Sequence, residues 1–327
     1  MPLKIVPEDT TIDFVSMRLI AFIGSSVAVV AAIAFFFIMG LNFGIDFRGG
    51  VNVIAKDADP IVIEDVRAAV SDLGYGTPVV QIFGDEYTVK VGVPAQDAPR
   101  DAEDPQKAAD QAQQDAAEVI RAALREVLGD NADESDWSQA VVSPTVSGEL
   151  VRAGAEAVIA AVVLMLLYIW FRFEWRFSVG AIIALVHDVT LTIGVFALFQ
   201  IEFGLSIIAA ILTIVGYSMN DTVVVFDRIR ENLRKYKTKS LGDVVNLSIN
   251  QTLARTFMTS VTTLLALVPL YLFGGEVLRG FTFAMIWGVL VGTYSSVFVA
   301  SPVLIALDPR GAFEPRKPEP AGEGAAA

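Results

Sequence analysis

Six runs of apolar residues constrain this chain more than any other feature: Leu19–Leu41, Val151–Phe171, Phe177–Phe199, Leu205–Phe226, Thr256–Phe273 and Phe281–Leu307. Each reaches roughly 18–27 residues, and a helix needs about 20 to cross the hydrocarbon of a bilayer. Within lipid the backbone must satisfy its own hydrogen bonds, so such a run closes into a helix. The sequence therefore reads as a polytopic α-helical membrane protein with six transmembrane helices. The first run is longer than the apolar core of a secretory signal, and no small-residue cleavage site follows it, so it reads as retained.

Lysine and arginine in the short loops give the orientation. Arg172 and Arg176 follow the second run; Arg228, Arg230, Arg234, Lys235, Lys237 and Lys239 follow the fourth; Arg310, Arg316 and Lys317 follow the sixth. The alternate loop Gln200–Gly204 carries no lysine or arginine, and Gly274–Gly280 has only Arg279. Both termini are thus expected in the cytoplasm, and the long segment between the first two runs outside. The division is a cytoplasmic N-terminal segment (1–18), a first transmembrane helix (19–41), an outer domain (42–150), a five-helix transmembrane domain (151–307) and a disordered cytoplasmic tail (308–327), rich in Pro, Gly, Ala and Glu.

The outer segment alternates between two periods. Val51–Ala55 reads as a strand, and Ile61–Leu73, ending at Gly74, as a helix. Pro78–Phe83 and Tyr87–Val93 read as strands joined by a hairpin turn at Gly84-Asp85-Glu86. Pro94–Asp104 reads as a loop, Ala108–Leu128 as a second helix and Trp137–Val142 as a last strand. The order βαββαβ is that of an α+β ferredoxin-like domain. The formal net charge of −13 with no basic stripe argues against nucleic acid as a partner. There is no cysteine and no metal-ligand cluster, so no metal and no cofactor are expected.

Ionisable residues inside a span cost roughly 2.5–3.5 kcal/mol to insert, so they face a protein interior or a water-filled path. The third run holds His187 and Asp188 near its middle, and the fourth holds Asn220 and Asp221 toward its end. Tyr217, Thr213 and Ser218 share a helix face with Asp221. Arg255 heads the fifth run, followed by Thr259, Thr262 and Thr263 as a polar stripe. Asp221 and Arg255 then lie toward the same membrane face, where they can meet. Two readings of the pair stand side by side: a buried salt bridge that fixes packing, or a switch. In the second, loss of water and a nearby cation pull the carboxyl in opposite directions, and protonation releases the arginine. His187 reads as a proton relay or a satisfied interior donor. Asp188 sits about 100° around the helix from it, so their adjacency is not by itself a dyad. The serine and threonine stripes read as interhelical glue or proton ligands, and Gly288 with Gly292 as a packing pattern. A hydrolase is not expected: Ser218, His187 and Asp188 lack a nucleophile elbow, and no HExxH is present.

Three stretches carry a resemblance. Gly44-Ile45-Asp46-Phe47-Arg48-Gly49-Gly50 follows the first run. Residues 216–232, from Gly216-Tyr217-Ser218-Met219-Asn220-Asp221-Thr222 to Asp227-Arg228-Ile229-Arg230-Glu231-Asn232, close the fourth. Gln251-Thr252-Leu253-Ala254-Arg255-Thr256, then Thr259-Ser260 and Thr262-Thr263, lie at the fifth. With His187-Asp188-Val189 in the third, they resemble the SecD/SecF family of protein-export membrane proteins, in its smaller SecF form.

That resemblance implies membership of the resistance–nodulation–division superfamily, six helices forming half of its membrane fold, and one periplasmic domain. It implies a bacterial inner-membrane auxiliary of the Sec translocase that promotes preprotein export with the proton-motive force. Implied partners are SecD as a heterodimer, the SecYEG translocon, YajC and YidC, with unfolded preprotein as substrate and lipid around it. By the same likeness Asp221 and Arg255 are proton-pathway residues, with Asp188 and His187 helping to polarise a path along the third to fifth spans. Gly44, Asp46, Arg48, Gly49 and Gly50 form the junction passing movement outward, the glycines permitting a tight turn or merely starting a strand. The basic loop Arg228–Lys239 sets topology, or else lies on anionic lipid or the translocon. Two other readings stay open: a single-repeat proton-coupled exporter of lipid or small molecules, and a non-transporting translocon scaffold.

Overall fold

The computed structural model describes residues 10–56, 61–76, 78–82, 88–94, 104–128, 137–142 and 144–312. Among these residues, six helices are long and apolar enough to cross a membrane: Arg18–Met39, Ser147–Arg172, Trp175–Phe199, Leu205–Lys235, Leu241–Phe273 and Leu278–Leu307. We label helices in chain order: α1 (Arg18–Met39), a short α2 (Ile45–Arg48), α3 (Ile63–Ser71), α4 (Pro105–Leu128), α5 (Pro144–Arg172), α6 (Trp175–Phe199), α7 (Leu205–Lys235), α8 (Leu241–Phe273), α9 (Gly275–Ser295) and α10 (Ser301–Leu307). A π-helical turn, Ser296–Ala300, joins α9 to α10 within the sixth span.

Two helices outrun their apolar sequences. The fourth span was expected to stop at Phe226, but α7 continues to Lys235. The fifth was expected to start near Thr256 with Arg255 at its head. Instead α8 begins at Leu241, where the Ser240 hydroxyl caps the Asp243 N–H at 3.1 Å, and Arg255 lies mid-helix. The reason is packing. Leu241, Val244, Val245 and Ile249 are buried at helical spacing, and the buried Ser248 between them accepts from Asn232 Nδ2 of α7, so this first stretch packs on protein and continues the helix.

Helices α6, α7 and α9 form the centre of the bundle, with Phe177, Phe196, Phe226 and Ile214 fully buried among them. Lipid is as apolar as leucine, so close backbone approach rather than water exclusion holds such helices together. Small residues supply it. A Cβ on Gly288 would lie 2.3 Å from Ile214, and one on Gly292 would lie 2.9 Å from the Cβ of Ser218. These contacts bind α9 to α7. On the other side of α6, a Cβ on Gly194 would lie 2.2 Å from Ala32 of α1.

The second core belongs to a four-stranded antiparallel sheet of order β2-β3-β1-β4: β1 (Gly50–Lys56), β2 (Val79–Ile82), β3 (Thr88–Pro94) and β4 (Trp137–Val142). That order, with α3 after β1 and α4 after β3, is the ferredoxin-like arrangement. Val51, Val53 and Ala55 pair with Val93, Val91 and Val89, and all six are buried. Val66 and Val70 of α3 and Ala116, Ala117, Ile120 and Leu124 of α4 close the same face. The hairpin turn at residues 84–86 and most of the loop 94–104 lie outside the described residues. So does the tail from residue 313; Pro309–Ala312 forms a 3₁₀ turn.

Candidate functional site

Asp188 sits at the centre of the bundle, fully buried on α6. The Ser218 hydroxyl of α7 donates to its Oδ2 at 2.5 Å, and the Ser295 hydroxyl of α9 donates to the same oxygen at 2.7 Å. Its Oδ1 lies 2.8 Å from His187 Nδ1. One carboxylate thus ties three spans together. The neighbours His187 and Asp188 bond although their positions are about 100° apart on the helix. The hydrogen-bonded centre is built by the third, fourth and sixth spans. Ser218 bonds to the aspartate and not to the histidine, so the three residues are not in the order a hydrolytic triad needs.

His187 continues the chain of polar groups outward. Its ring stacks on Tyr294 with centroids 6.3 Å apart, and the Tyr294 hydroxyl meets Ser25 Oγ of α1 at 3.0 Å. Among the described residues, His187 Nε2 is buried without a hydrogen-bond partner. So are Tyr217 Oη, Asp221 Oδ2 and Trp287 Nε1. Sequence reasoning missed Ser295, Tyr294 and Ser25. Each is an uncharged polar residue in an apolar run, a signal that hundreds of structural serines and tyrosines also give.

Asp221 lies on α7, 2% exposed. Among the described residues, no cation comes within ion-pair distance of it, so the expected close Asp221–Arg255 bridge is not formed. Arg255 is nonetheless the charge that bears on it. Arg255 itself is exposed on α8, and Asn220 and Thr213 are exposed on α7. The threonine stripe turns inward on its own backbone: Thr213 donates to Ala209 O, Thr259 to Thr256 O, Thr262 to Met258 O and Thr263 to Thr259 O, all at 2.8–2.9 Å. The link between α8 and α9 is made instead by Ser260, whose hydroxyl meets that of Thr293 at 2.7 Å.

The junction after α1 is stitched to the loop between α6 and α7. Phe203 N–H donates to Asn42 O at 2.7 Å and Gly44 N–H to Phe203 O at 3.0 Å. Asp46 Oδ2 accepts from Leu205 N–H at 2.9 Å, placing an acidic side chain at the positive end of α7. Two glycines make room: a Cβ on Gly44 would lie 2.8 Å from Glu202, and one on Gly204 would lie 2.8 Å from Asp46 Oδ2. Gly49 and Gly50 have φ of 70° and 142°, so the chain turns at the first and enters β1 at the second. The turn and the strand start are therefore both realised.

This architecture matches known proteins. A family model described as protein export membrane protein SecD/SecF, C-terminal, matches residues 120–310, and a SecD/SecF GG motif model matches residues 34–56. The chain belongs to the SecD/SecF family. The first match takes in Asp188, Asp221, Arg255 and Ser295; the second takes in the junction. Among SecD/SecF relatives, protein translocase subunit SecF of Rhodobacter capsulatus is 45% identical over 309 residues, covering 93% of this chain and 91% of the relative. Protein translocase subunit SecDF of Brucella abortus is 41% identical over 312 residues, covering 94% of this chain. The solved SecDF of Thermus thermophilus, a translocon-associated membrane protein, superimposes with a TM-score of 0.77 at 33% identity over 93% of this chain. The chain spans only 39% of the length of each of those two SecDF proteins. It is a multi-pass membrane protein of SecF type.

Proposed function

We propose that this chain is an auxiliary subunit of the Sec translocase that uses the proton-motive force, with SecD, to promote preprotein export. The carrying observation is Asp221: an acidic side chain inside a membrane-spanning helix, buried, with Oδ2 lacking a partner. A carboxyl bonded by two hydroxyl donors and an imidazole nitrogen, as Asp188 is, is committed to structure. Asp221 Oδ2 has an open acceptor position, which proton uptake requires.

Protonation removes the charge that Arg255 feels, and α7 and α8 resettle between two packings. A full charge moved across the membrane is worth about 2.3 kcal/mol per 100 mV, enough to bias such an equilibrium. The first turn of α7 is held by Asp46, so a shift of α7 reaches the junction and, through β1, the outer domain. Asp188 and His187 polarise the path beside it. The orientation that fits the basic loops has both termini in the cytoplasm and the sheet domain in the periplasm of a bacterial inner membrane. Exposed Thr213, Asn220 and Arg255 on adjoining helices are poor company for lipid. They support a protein partner over this face, and the SecDF relatives, of which this chain spans 39%, favour SecD as that partner. SecYEG, YajC and YidC are further partners on this reading, and the role is transport rather than catalysis.

The test is export into inverted inner-membrane vesicles with and without a proton gradient. Asp221→Asn is expected to reduce the gradient-stimulated part to background while the ATP-driven part persists, and Asp221→Glu to retain much of the stimulation. Equal stimulation in the asparagine variant and the parent would remove the proposal and leave a scaffold.

A further inference from the structure

Before α1, residues 10–14 lie along the first half of α8, held by two of its asparagines. Asn250 grips Ile12 at both backbone groups: the Ile12 N–H donates to Asn250 Oδ1 at 2.9 Å, and Asn250 Nδ2 donates to Ile12 O at 2.8 Å. One turn earlier on α8, Asn246 Oδ1 accepts from the Phe14 N–H at 2.8 Å. The Thr10 hydroxyl reaches Asn250 O at 3.3 Å. The spacing is a match of periods: four residues of helix rise about 6 Å, and two residues of extended chain about 6.6 Å. Asparagines four apart therefore meet every second residue of an extended segment. They read its backbone, since the Ile12 side chain is 45% exposed.

The same segment is fixed to α1 without slack. Asp13 Oδ1 accepts from the Ser16 N–H at 3.1 Å, and the Ser16 hydroxyl donates to Asp13 O at 3.0 Å. The Arg18 N–H, at the first residue of α1, already donates to Val15 O at 3.3 Å. Phe14 sets its ring edge-on against Phe298 of the π-helical turn, with centroids 5.9 Å apart. One closed turn thus separates the α8 contacts from the start of α1. At the other end of the linkage, Arg255 lies five residues past Asn250, about 7.5 Å along the same helix. Beyond α1 the chain passes through the junction into β1.

We infer that residues 10–14 are a strap that makes α1 follow α8, with Asn246 and Asn250 as its positioning residues. Its use rests on the function proposed above: movement of the helix that carries Arg255 is passed to the span that leads to the sheet domain, beside the Asp46 contact with α7. The competing arrangement is that α1 is placed by α6 and α9 alone. Gly194 of α6 faces Ala32 closely, and the Tyr294 hydroxyl donates to Ala21 O at 3.2 Å. Those contacts hold α1 to the bundle centre; the strap alone ties its start to the asparagines of α8.

The chain has no cysteine, so Ile20→Cys on α1 and Met258→Cys on α8, both exposed, take paired spin labels in the full chain in lipid nanodiscs. The parent is expected to give one narrow distance distribution and slow hydrogen exchange at the Ile12 and Phe14 amides. Asn246→Leu with Asn250→Leu should speed that exchange about tenfold, as loss of a hydrogen bond does, and broaden the distances. One substitution then separates the two positions. Asn246→Asp keeps the acceptor that Phe14 needs and should leave the distances narrow. Asn250→Asp loses the donor to Ile12 O and should broaden them. In inverted vesicles, gradient-stimulated export should fall in Asn250→Asp and persist in Asn246→Asp. Fast exchange at Ile12 and Phe14 in the parent overturns the inference, whether or not any variant folds. Unchanged distances in the leucine variant also overturn it and leave α1 to α6 and α9. Full stimulation in the leucine variant, with none in Asp221→Asn, overturns the strap's use and leaves the proposed function standing. The distances are read without a gradient, so they decide the strap even where Asp221→Asn keeps full stimulation and the proposed function fails.

Discussion

Removing Ser218 and Ser295 separately tests whether Asp188 is held as one unit. Both hydroxyls donate to the same Oδ2, so either serine alone still leaves that oxygen one donor. Ser295→Ala is expected to cost about 0.5–1.5 kcal/mol, the net worth of one hydrogen bond, since Oδ2 keeps Ser218. With Ser218→Ala added, the loss should exceed the sum of the single losses, because the second removal leaves Oδ2 bare. Thermal unfolding in detergent around the full cycle measures this; losses that add within about 0.5 kcal/mol would mean that the two donors are not sharing an acceptor. At this scale the sequence was half informative. Asp188, Asp221 and His187 stand out because a charge in an apolar run is rare. Ser295 does not, since a hydroxyl can satisfy itself on its own helix, as Thr262 does, and only the fold shows which one reaches across. Whether Asp221 and Arg255 touch was illegible for the same reason: helix order gives proximity, but the rotation of α8, set by its buried residues, turns Arg255 outward.

Helix ends show where element-level reading fails. Apolar runs mark the part of a helix inside lipid, while hydrogen-bonded helix continues wherever capping and amphipathic packing allow. Hence α7 and α8 extend past their runs, with Asn232 Nδ2 bonding to Ser248 Oγ at 2.9 Å and to Gln251 Oε1 at 2.8 Å between the extensions. The opposite end of α7 carries a device that no local pattern announces. Its own N-cap residue, Gly204, supplies no side chain, and Asp46, 159 positions from Leu205, accepts from that residue's amide in its place. Asp46→Ala should therefore loosen the first turn of α7 and cost about 1 kcal/mol, as loss of a cap does. Asp46→Asn, which keeps an acceptor oxygen, should recover part of it. Faster hydrogen exchange at the Leu205 amide in the alanine variant, with the middle of α7 unchanged, is the expected signature. Unaltered exchange at that amide would mean that the junction merely rests on the helix.

Seen whole, the molecule has two hydrophobic cores that share no residue, one inside the six-helix bundle and one under the four-stranded sheet. Both were legible in the sequence, because the hydrophobic period changes from continuous runs to alternation and amphipathic helix between residues 50 and 142. If the cores are energetically separate, residues 50–142 expressed alone should fold. The sheet retains all its strand pairs in that fragment, and α3 and α4 still cover the face lined by Val53, Val91 and Val89. What it loses is α2, which stands between sheet and bundle with Phe47 packed toward the membrane core. The expected result is a soluble monomer with one cooperative thermal transition and dispersed amide resonances, the marks of a two-state domain. A broad transition with exposed apolar surface would show that the sheet depends on the bundle. On the function proposed, the outcome bears on how a shift of α7 would reach the sheet domain. A domain that holds its own shape can be swung as a rigid body by its two covalent connections, α2 into β1 and β4 into α5, and by Asp46 at the head of α7. A domain that melts when cut free would deform at the junction first, and a shift of α7 would be spent there.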